Sequence, residues 1–497
     1  MHGRGKSDSP VVPTKLPNNA APGAATEVME GRGSAGGNTS QNDATRTQRR
    51  TIAQSGLARV REAAKRDRNA KLTALLHHVT VERLRIAFES LNKKAAAGTD
   101  QVTWAAYGQE LEQNIQNLHA RLHSGAYRAK PSRRVYIPKA DGRQRPLGIS
   151  SLEDKLLQRA VVEVLNAIYE TDFLGFSYGF RPGRSQHQAL DALNVGIRRR
   201  KINWVLDADI RGFFDTLDHV WLLKFLEHRI ADRRILRLIQ KWLNAGVLED
   251  GKLLATEEGT PQGATISPLL ANVYLHYVFD LWVQRWRKRR ARGEVIVVRY
   301  ADDFIVGFQH EADARSFLEE LRDRLRGFAL ELHPEKTRLI RFGAFAASKR
   351  AQRGEGKPET FCFLGFVHIC SNSMNGKFLV RRHTAASRMQ RKLRELRQEL
   401  RRRRHVPVPE QGAWLARVVR GFYAYYAVPT NIRRLSAFRF KVRRLWHKAL
   451  RRRGQRDRTP WARMNRLAEQ WLPRPRILHP WPDLRFDAKT AGRSPVR

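Results

Sequence analysis

Apolar residues recur along this 497-residue chain with two spacings. A spacing near 3.6 predicts helices over Leu57–Leu76, Val81–Leu91 (with Leu84, Phe88 and Leu91 on one face), Tyr107–Leu122, and Glu153–Ile168 with Leu156, Leu157, Ala160, Val161 and Val164 inward. It predicts further helices over Gln186–Arg199, Val220–Arg229, Ile266–Phe279 and Glu311–Phe328. Between them lie strand-like runs. Val135 to Pro138 and Arg145 to Ile149 flank an Asp141-Gly142 turn, a hairpin signature with basic arms. Trp204 to Ile210 carries acids on alternate positions, so Asp207 and Asp209 share a face. Val295-Ile296-Val297-Val298 and Phe304 to Phe308 bracket Tyr300-Ala301-Asp302-Asp303, a second hairpin with two carboxylates at its turn. Phe361 to Val367 reads as a short hairpin strand.

Beyond Arg381 the pattern changes. Residues 381–404 hold ten Arg and one Lys against two Glu, with Met389, Leu393, Leu396 and Leu400 at helical spacing, which predicts one basic amphipathic helix. Val406-Pro407-Val408-Pro409 breaks it. A second helix includes Trp414 to Tyr426, and a third runs from Ile432 to about Arg453 with Leu435, Phe438, Val442 and Leu445 inward. Three such helices make a small bundle. The tail from Asp457, rich in Pro, Trp and Arg, reads as an extended wrap. Residues 1 to about 50, rich in Gly, Ala, Ser, Asn and Thr, have neither spacing and read as a disordered leader.

Charge sharpens this picture. Lys and Arg number 93 against 48 Asp and Glu, a net charge of +45, a surplus that suits a polyanionic partner, nucleic acid before an anionic membrane. No apolar run is long enough to span a bilayer, and no signal peptide opens the chain. The expected location is the cytoplasm, with nucleoid association when bound to DNA. Cys362 and Cys370, the only cysteines, exclude a disulfide framework and a Cys-based zinc site and are expected in the core of strands.

The acidic pair is the chemical centre. Adjacent carboxylates repel and raise each other's pKa, an arrangement relieved by a divalent cation that prefers hard oxygen ligands; the plain alternative is an Asp-rich turn. Asp209, on a separate strand, is the candidate third carboxylate of a two-metal site. Asp215 or Asp218 is expected to cap the helix that follows, and His219 to bond locally. The loop Phe176 to Ser185, with Arg181 and Arg184 among aromatics, suits a nucleic-acid strand. Arg401, Arg402, Arg403, Arg404, Arg443 and Arg444 supply a basic face on the bundle.

Taken together, these ordered motifs resemble those of a group II intron reverse transcriptase–maturase over about residues 75 to 480. They are Arg145-Pro146-Leu147-Gly148-Ile149, Tyr178 to Ser185, Asp209-Ile210-Arg211-Gly212-Phe213-Phe214-Asp215, Pro261-Gln262-Gly263, the acidic hairpin, His333-Pro334-Glu335-Lys336-Thr337, Phe363-Leu364-Gly365-Phe366, and the segment Leu415 to Tyr426.

The resemblance implies an α+β fold, a right-hand polymerase of fingers, palm and thumb with a C-terminal α-helical maturase domain. The implied division is a leader (1–55), a helical extension of the fingers (56–130), fingers and palm (131–370), thumb and maturase bundle (381–455) and tail (456–497). Two Mg²⁺ would be held by Asp209, Ile210, Asp302 and Asp303, the three aspartates being catalytic. Lys139 and Arg145 would meet the dNTP triphosphate, Phe214 would exclude a ribose 2′-hydroxyl, Gln262 and Gly263 would line the templating pair, and Lys336 would assist at the pyrophosphate. Phe363, Leu364, Gly365 and Phe366 would form the primer grip. The implied partners are group II intron RNA, as template and as ribonucleoprotein partner, and a DNA target or primer.

With no cysteine after Cys370, an HNH endonuclease is not expected, so priming would use a nick or fork made elsewhere. A stand-alone defence or diversity-generating reverse transcriptase would share the palm but need no maturase bundle. A non-catalytic RNA-binding splicing chaperone would not need the three aspartates.

Overall fold

The computed structural model describes residues 56–138, 144–249, 252–254, 259–260, 263–454 and 459–490. The leader, Lys139 and Gln262 therefore lie outside the described residues, as does the side chain of Arg145. Helices and sheets are mixed, an α+β arrangement. No described helix is long and apolar enough to cross a membrane.

In chain order the strands are β1 (Ser132–Pro138), β2 (Gln144–Ile149), β3 (Trp204–Asp209), β4 (Val247–Glu249), β5 (Lys252–Leu254), β6 (Val295–Tyr300), β7 (Asp303–Phe308), β8 (Arg338–Arg341), β9 (Phe361–Phe363), β10 (Phe366–Asn372) and β11 (Phe378–Thr384). They form three sheets, ordered β2-β1-β4-β5, β6-β7-β3-β8 and β11-β10-β9. In the second, every residue of β6 is buried, and β3 and β7 occupy the centre. A strand covered on both faces reads as a continuous apolar run, which is why Val295 to Val298 show no alternation.

The chain divides into two compact units. The larger, described from residue 56 to Arg388 and again from Pro480, contains all three sheets. Helices Leu152–Asp172 and Ser267–Leu275 supply much of its core, with Leu156, Leu157, Val161, Leu270 and Val273 essentially fully buried. The helix Gln186–Arg199 begins at a capping box in which the Ser185 hydroxyl and the Gln188 side chain each satisfy the other's backbone amide.

In the smaller unit, described from Met389 to His479, the helices Ala386–Arg402, Val408–Tyr426, Ile432–Leu450 and Trp461–Trp471 share one core that includes Leu396, Leu415, Val419, Phe438, Trp446 and Met464. Pro407 and Pro409 sit where the second helix starts, the position at which a missing amide costs least.

Several expectations are corrected. The first helix ends near residue 66, because the buried Arg229 guanidinium collects the carbonyls of Ala64, Asp67 and Ala70. The Leu72 backbone pairs instead with Arg229 and Ala231. Residues 381–384 end strand β11 rather than opening the basic helix, since Arg382 points inward to Asp191 at 2.8 Å. The run Phe361–Val367 is two strands, turning at Leu364 and Gly365 with φ of 47° and 78°. In β9 the two phenylalanines face inward, so Cys362 is exposed, and Cys370 is only half-buried. The tail is not merely extended: Trp461–Trp471 is the bundle's fourth helix, and Pro482–Thr490 packs on Gln186–Arg199 through ion pairs of Arg198 and Arg199 with Asp483 and of Arg485 with Asp191. The indole of Trp471, which fills the space a side chain at Gly412 would need, shows why a segment rich in Trp joins the core.

Candidate active site

The centre of the β6-β7-β3-β8 sheet presents the carboxylates. Asp303 opens β7, where it pairs with Tyr300 of β6 on one side and with Asp209, the last residue of β3, on the other. Antiparallel pairing sets two residues in direct opposition about 5 Å apart, so Asp209 and Asp303 face each other across the ladder. Asp302 stands in the turn beside them, after Ala301 with φ of 58°. The strand spacing puts Asp207 on the same face as Asp209.

Burial and the neighbouring charges of Asp207, Asp302 and Asp209 push the Asp303 carboxyl well above the ordinary range. Burial likewise lifts Asp207 to about 6, against the pull of Arg338, whose guanidinium lies 3.7 Å away.

Lys336 also brings positive charge to this cluster. The His333 amide donates to the Asp209 carbonyl at 2.8 Å, which brings Lys336 round so that its ammonium donates to Asp209 Oδ2 at 2.5 Å. Among the described residues no three His, Cys, Asp or Glu side chains form a ready-made metal cage. The donor set nevertheless fits a divalent cation: hard carboxylate oxygens, mutual repulsion that raises Asp303, and a lysine ammonium already drawn to one of them. The Ile210 side chain is buried in the core, so only its backbone is available to such an ion.

Asp218 caps the helix His219–Glu227 by accepting from the Trp221 amide at 2.7 Å, whereas the His219 ring bonds not locally but to the carbonyl of Gly259, distant in sequence. Phe214, half-buried, stacks edge-on against Phe213, and its carbonyl accepts from the Thr260 amide at 2.8 Å. Gly263, at φ of 113°, lies so close to β2 that a Cβ there would meet the Gly148 carbonyl at 2.8 Å. Thr260 thus meets Phe214, and Gly263 meets Gly148, across large separations in sequence. The hairpin of β9 and β10 lies near the carboxylates, since Asp207 and Asp303 both act on Cys362; Phe363 and Phe366 are buried.

Arg181 departs from expectation. It is 7 % exposed, forks onto Glu170, donates to the carbonyls of Leu174 and Ser177, and lies over the Phe173 ring. It braces the loop, with most of its donors turned inward onto Glu170 and these carbonyls. Arg184 stacks on Tyr178 and is half-buried, while Phe180 is 44 % exposed. In the bundle Arg401, Arg402 and Arg444 are exposed. Arg403 is paired with Glu399 and laid over Trp414, and Arg404 is half-buried. Arg443 bonds Asn465 and lies over Phe440 and Trp461.

One group at the site, Arg338, carried no expectation from sequence. Asp207 was visible as the alternate acid of β3, but its neighbour Arg338 came from a strand whose pairing the pattern does not reveal.

Comparison with known proteins adds the following. The family described as "Reverse transcriptase (RNA-dependent DNA polymerase)" matches residues 137–368. Protein YkfC of Escherichia coli (strain K12) is 35% identical over 305 residues, 54% of this chain and 80% of that protein. Group II intron-encoded protein LtrA of Lactococcus lactis subsp. cremoris is 40% identical over 192 residues, 38% of this chain but only 32% of the relative. Nuclear intron maturase 4, mitochondrial, of Arabidopsis thaliana is 25% identical over 215 residues, 42% of this chain and 25% of that protein.

Proposed function

The chain belongs to the group II intron reverse transcriptase/maturase family, and on that premise we propose that it copies intron RNA into DNA and assists that RNA's splicing. The observation that carries the polymerase reading is the opposition of Asp209 and Asp303 across β3 and β7, with Asp302 in the adjoining turn. In this reading the β6-β7-β3-β8 sheet is the palm, the β1–β2 hairpin belongs to the fingers, and the four-helix unit is the thumb and maturase domain.

Asp209, Asp302 and Asp303, with the Ile210 carbonyl, would hold two Mg²⁺. When bound, such ions stabilise the charges of the attacking and leaving oxygens in an in-line displacement. The remaining work falls to the chain. Lys139 and Arg145 would take the triphosphate charge as it enters. Gly263, pressed against Gly148, would line the templating pair together with Gln262. Phe214 offers a ring edge where a 2′-hydroxyl would need room. Lys336, already bonded to Asp209, can shift its ammonium toward the departing pyrophosphate and supply charge or a proton there. Phe363, Leu364, Gly365 and Phe366, in a tight hairpin with its phenylalanines anchored inward, would steady the primer strand.

The splicing role rests on the basic bundle and on the kinship with intron-encoded proteins. Exposed Arg401, Arg402 and Arg444 would contact intron RNA phosphates, with Arg184 contributing from the other unit. A DNA target or primer would be supplied at the palm, and the cytoplasm or nucleoid is the fitting location. Primer extension on an RNA template tests the polymerase: purified full chain with Mg²⁺ is expected to give cDNA, and no Mg²⁺-dependent product would overturn the reading. Splicing of a flanking intron transcript, faster with the protein than without it at low Mg²⁺, tests the maturase role.

A further inference from the structure

The acidic turn is held from beneath by one guanidinium. Arg299, next to last in β6, is 0% exposed. Its Nε and Nη2 fork onto both oxygens of Asp280 at 2.7 and 2.5 Å. Its Nη1 donates to Asn272 Oδ1 and to the Ala301 carbonyl, both at 3.0 Å. Asp280 and Asn272 are themselves buried, at 0% and 1% exposure. Asp280 ends a π-helical turn, His276–Asp280, a local widening that recurs at functional positions.

The same hub reaches the loop Phe176–Ser185. The Asn272 amide donates to the Gly179 carbonyl at 2.7 Å. The Arg299 backbone exchanges hydrogen bonds with Phe176 and Tyr178, each at 2.9 Å. Gly179 lies so close to the turn that a Cβ on it would come within 2.3 Å of the Ala301 nitrogen. Ala301 holds a left-handed backbone, φ 58°, which a residue with a Cβ adopts only when its surroundings impose it.

A buried ion pair is a poor way to stabilise a core, because apolar packing of the same volume usually does as well. This one spends a donor on the carbonyl of the residue immediately before Asp302. We infer that Arg299 is a positioning residue: with Asp280 and Asn272 it locks the Tyr300–Asp303 turn and the Phe176–Ser185 loop into one rigid piece. The carboxylates that receive the metal and the loop that faces the nucleic acid then keep a fixed relation. The inference rests on the polymerase reading and assigns the residues that make its metal geometry exact enough to work.

The test uses the full chain with Asn272→Ala, Arg299→Lys and, as a control, Arg229→Lys, which disturbs a comparably buried pair with Asp172 away from the carboxylates. Mn²⁺ binding without nucleotide is read by electron paramagnetic resonance, single-nucleotide extension gives kcat and KM, and thermal melting reports folding. Outer-layer partners of metal ligands typically govern about tenfold in affinity, so Asn272→Ala is expected to weaken Mn²⁺ by about that factor. Misplacement of reacting groups by an ångström costs about 10²-fold, so kcat falls toward that range while KM for the nucleotide holds. Arg299→Lys moves in the same direction and further. If Arg299→Lys does not fold, Asn272→Ala, which leaves the Arg299–Asp280 pair intact, decides alone. Mn²⁺ affinity and kcat no lower than in Arg229→Lys would overturn the inference while leaving the polymerase reading standing. A wild-type chain that neither binds Mn²⁺ nor extends a primer would overturn both.

Discussion

The Lys336 ammonium lies 2.5 Å from Asp209 Oδ2, and the His333 amide bonds the carbonyl of the same aspartate. One short segment therefore grips Asp209 by side chain and backbone together, and its cation stands where an incoming metal would draw on the same oxygen. Lys336→Ala should loosen that competition. An ion pair with its lysine this exposed (55% of the side chain) contributes at most about 1 kcal/mol. Half-saturation by Mn²⁺ in a binding titration should therefore fall about fivefold or less. Turnover should drop even so, by about 10²-fold if Lys336 donates a proton at the pyrophosphate. A fall in kcat with no change in Mn²⁺ affinity would separate the two roles.

Asp303→Asn removes a carboxylate that burial and three neighbouring acids already disfavour. The variant should fold, with a melting midpoint in chelator equal to or above wild type. Its cDNA synthesis should fall by about 10³-fold or more, since metal stabilisation of the transition state amounts to several kcal/mol. A lowered midpoint accompanying the loss would mean that Asp303 acts chiefly in folding.

Phe214 is half-buried, with its carbonyl fixed by the Thr260 amide, so trimming its ring should enlarge a pocket without moving the backbone. Phe214→Ala is expected to narrow the preference for dNTP over rNTP by about 10- to 100-fold, the range a single steric contact can supply. Single-nucleotide incorporation of matched dNTP and rNTP pairs measures it, and unchanged discrimination would refute the gate.

How much of this was legible in the sequence depended on how local the cause was. The Gln186–Arg199 helix matched its pattern because its signals, the Ser185 cap and the apolar face, lie within the segment. The opposition of Asp209 and Asp303 could be guessed from two strand-like runs with acids at their ends, but the register between strands so far apart in sequence came only from pairing. Arg181 misled because a basic, Gly/Pro-broken loop looks the same whether its arginines face solvent or, as here, Glu170 eleven residues earlier. The helix expected over 381–404 failed at its start for a similar reason: Arg382 is drawn inward by Asp191, a partner no periodicity reveals. Arg299 escaped notice inside an apolar run, where its charge is matched by Asp280 on a helix.

Acid should destabilise the protein through the buried His368 and His276 and the half-buried His78. His368 is 0% exposed, stacks flat on Phe361, and is pushed down to about 3, chiefly by burial and also by Arg382. His276 and His78 are lowered to about 4, again chiefly by burial. A histidine whose pKa is lowered on folding takes up its proton first in the unfolded chain, so stability is intact above pH 6.5 and declines as pH falls toward the folded values. For a group as buried as His368 the loss reaches about 2 kcal/mol by pH 5. Denaturant midpoints at pH 7 and pH 5 should show the decline, and His368→Phe, which keeps the stacked ring but cannot titrate, should flatten it.

Arg181 and Arg402 should respond to truncation in opposite ways. Arg181 is enclosed with its donors on Glu170 and two carbonyls, and removing one partner of a buried pair costs about 3–5 kcal/mol. Arg181→Ala should therefore lower the melting midpoint and leave the salt dependence of RNA binding as it was. Arg402 is exposed, with only a 3.7 Å approach to Glu399, so its loss should hardly affect folding. Each phosphate contact contributes about 0.7 to 0.9 to the log–log slope of affinity against salt. Arg401→Gln with Arg402→Gln should therefore flatten that slope by up to about 1.5 units and weaken binding across RNA sequences alike. Fluorescence anisotropy over a salt series measures it. Equal slopes in this variant and wild type would show that the pair faces solvent alone, and a flattened slope in Arg181→Ala would reopen the loop as an RNA contact.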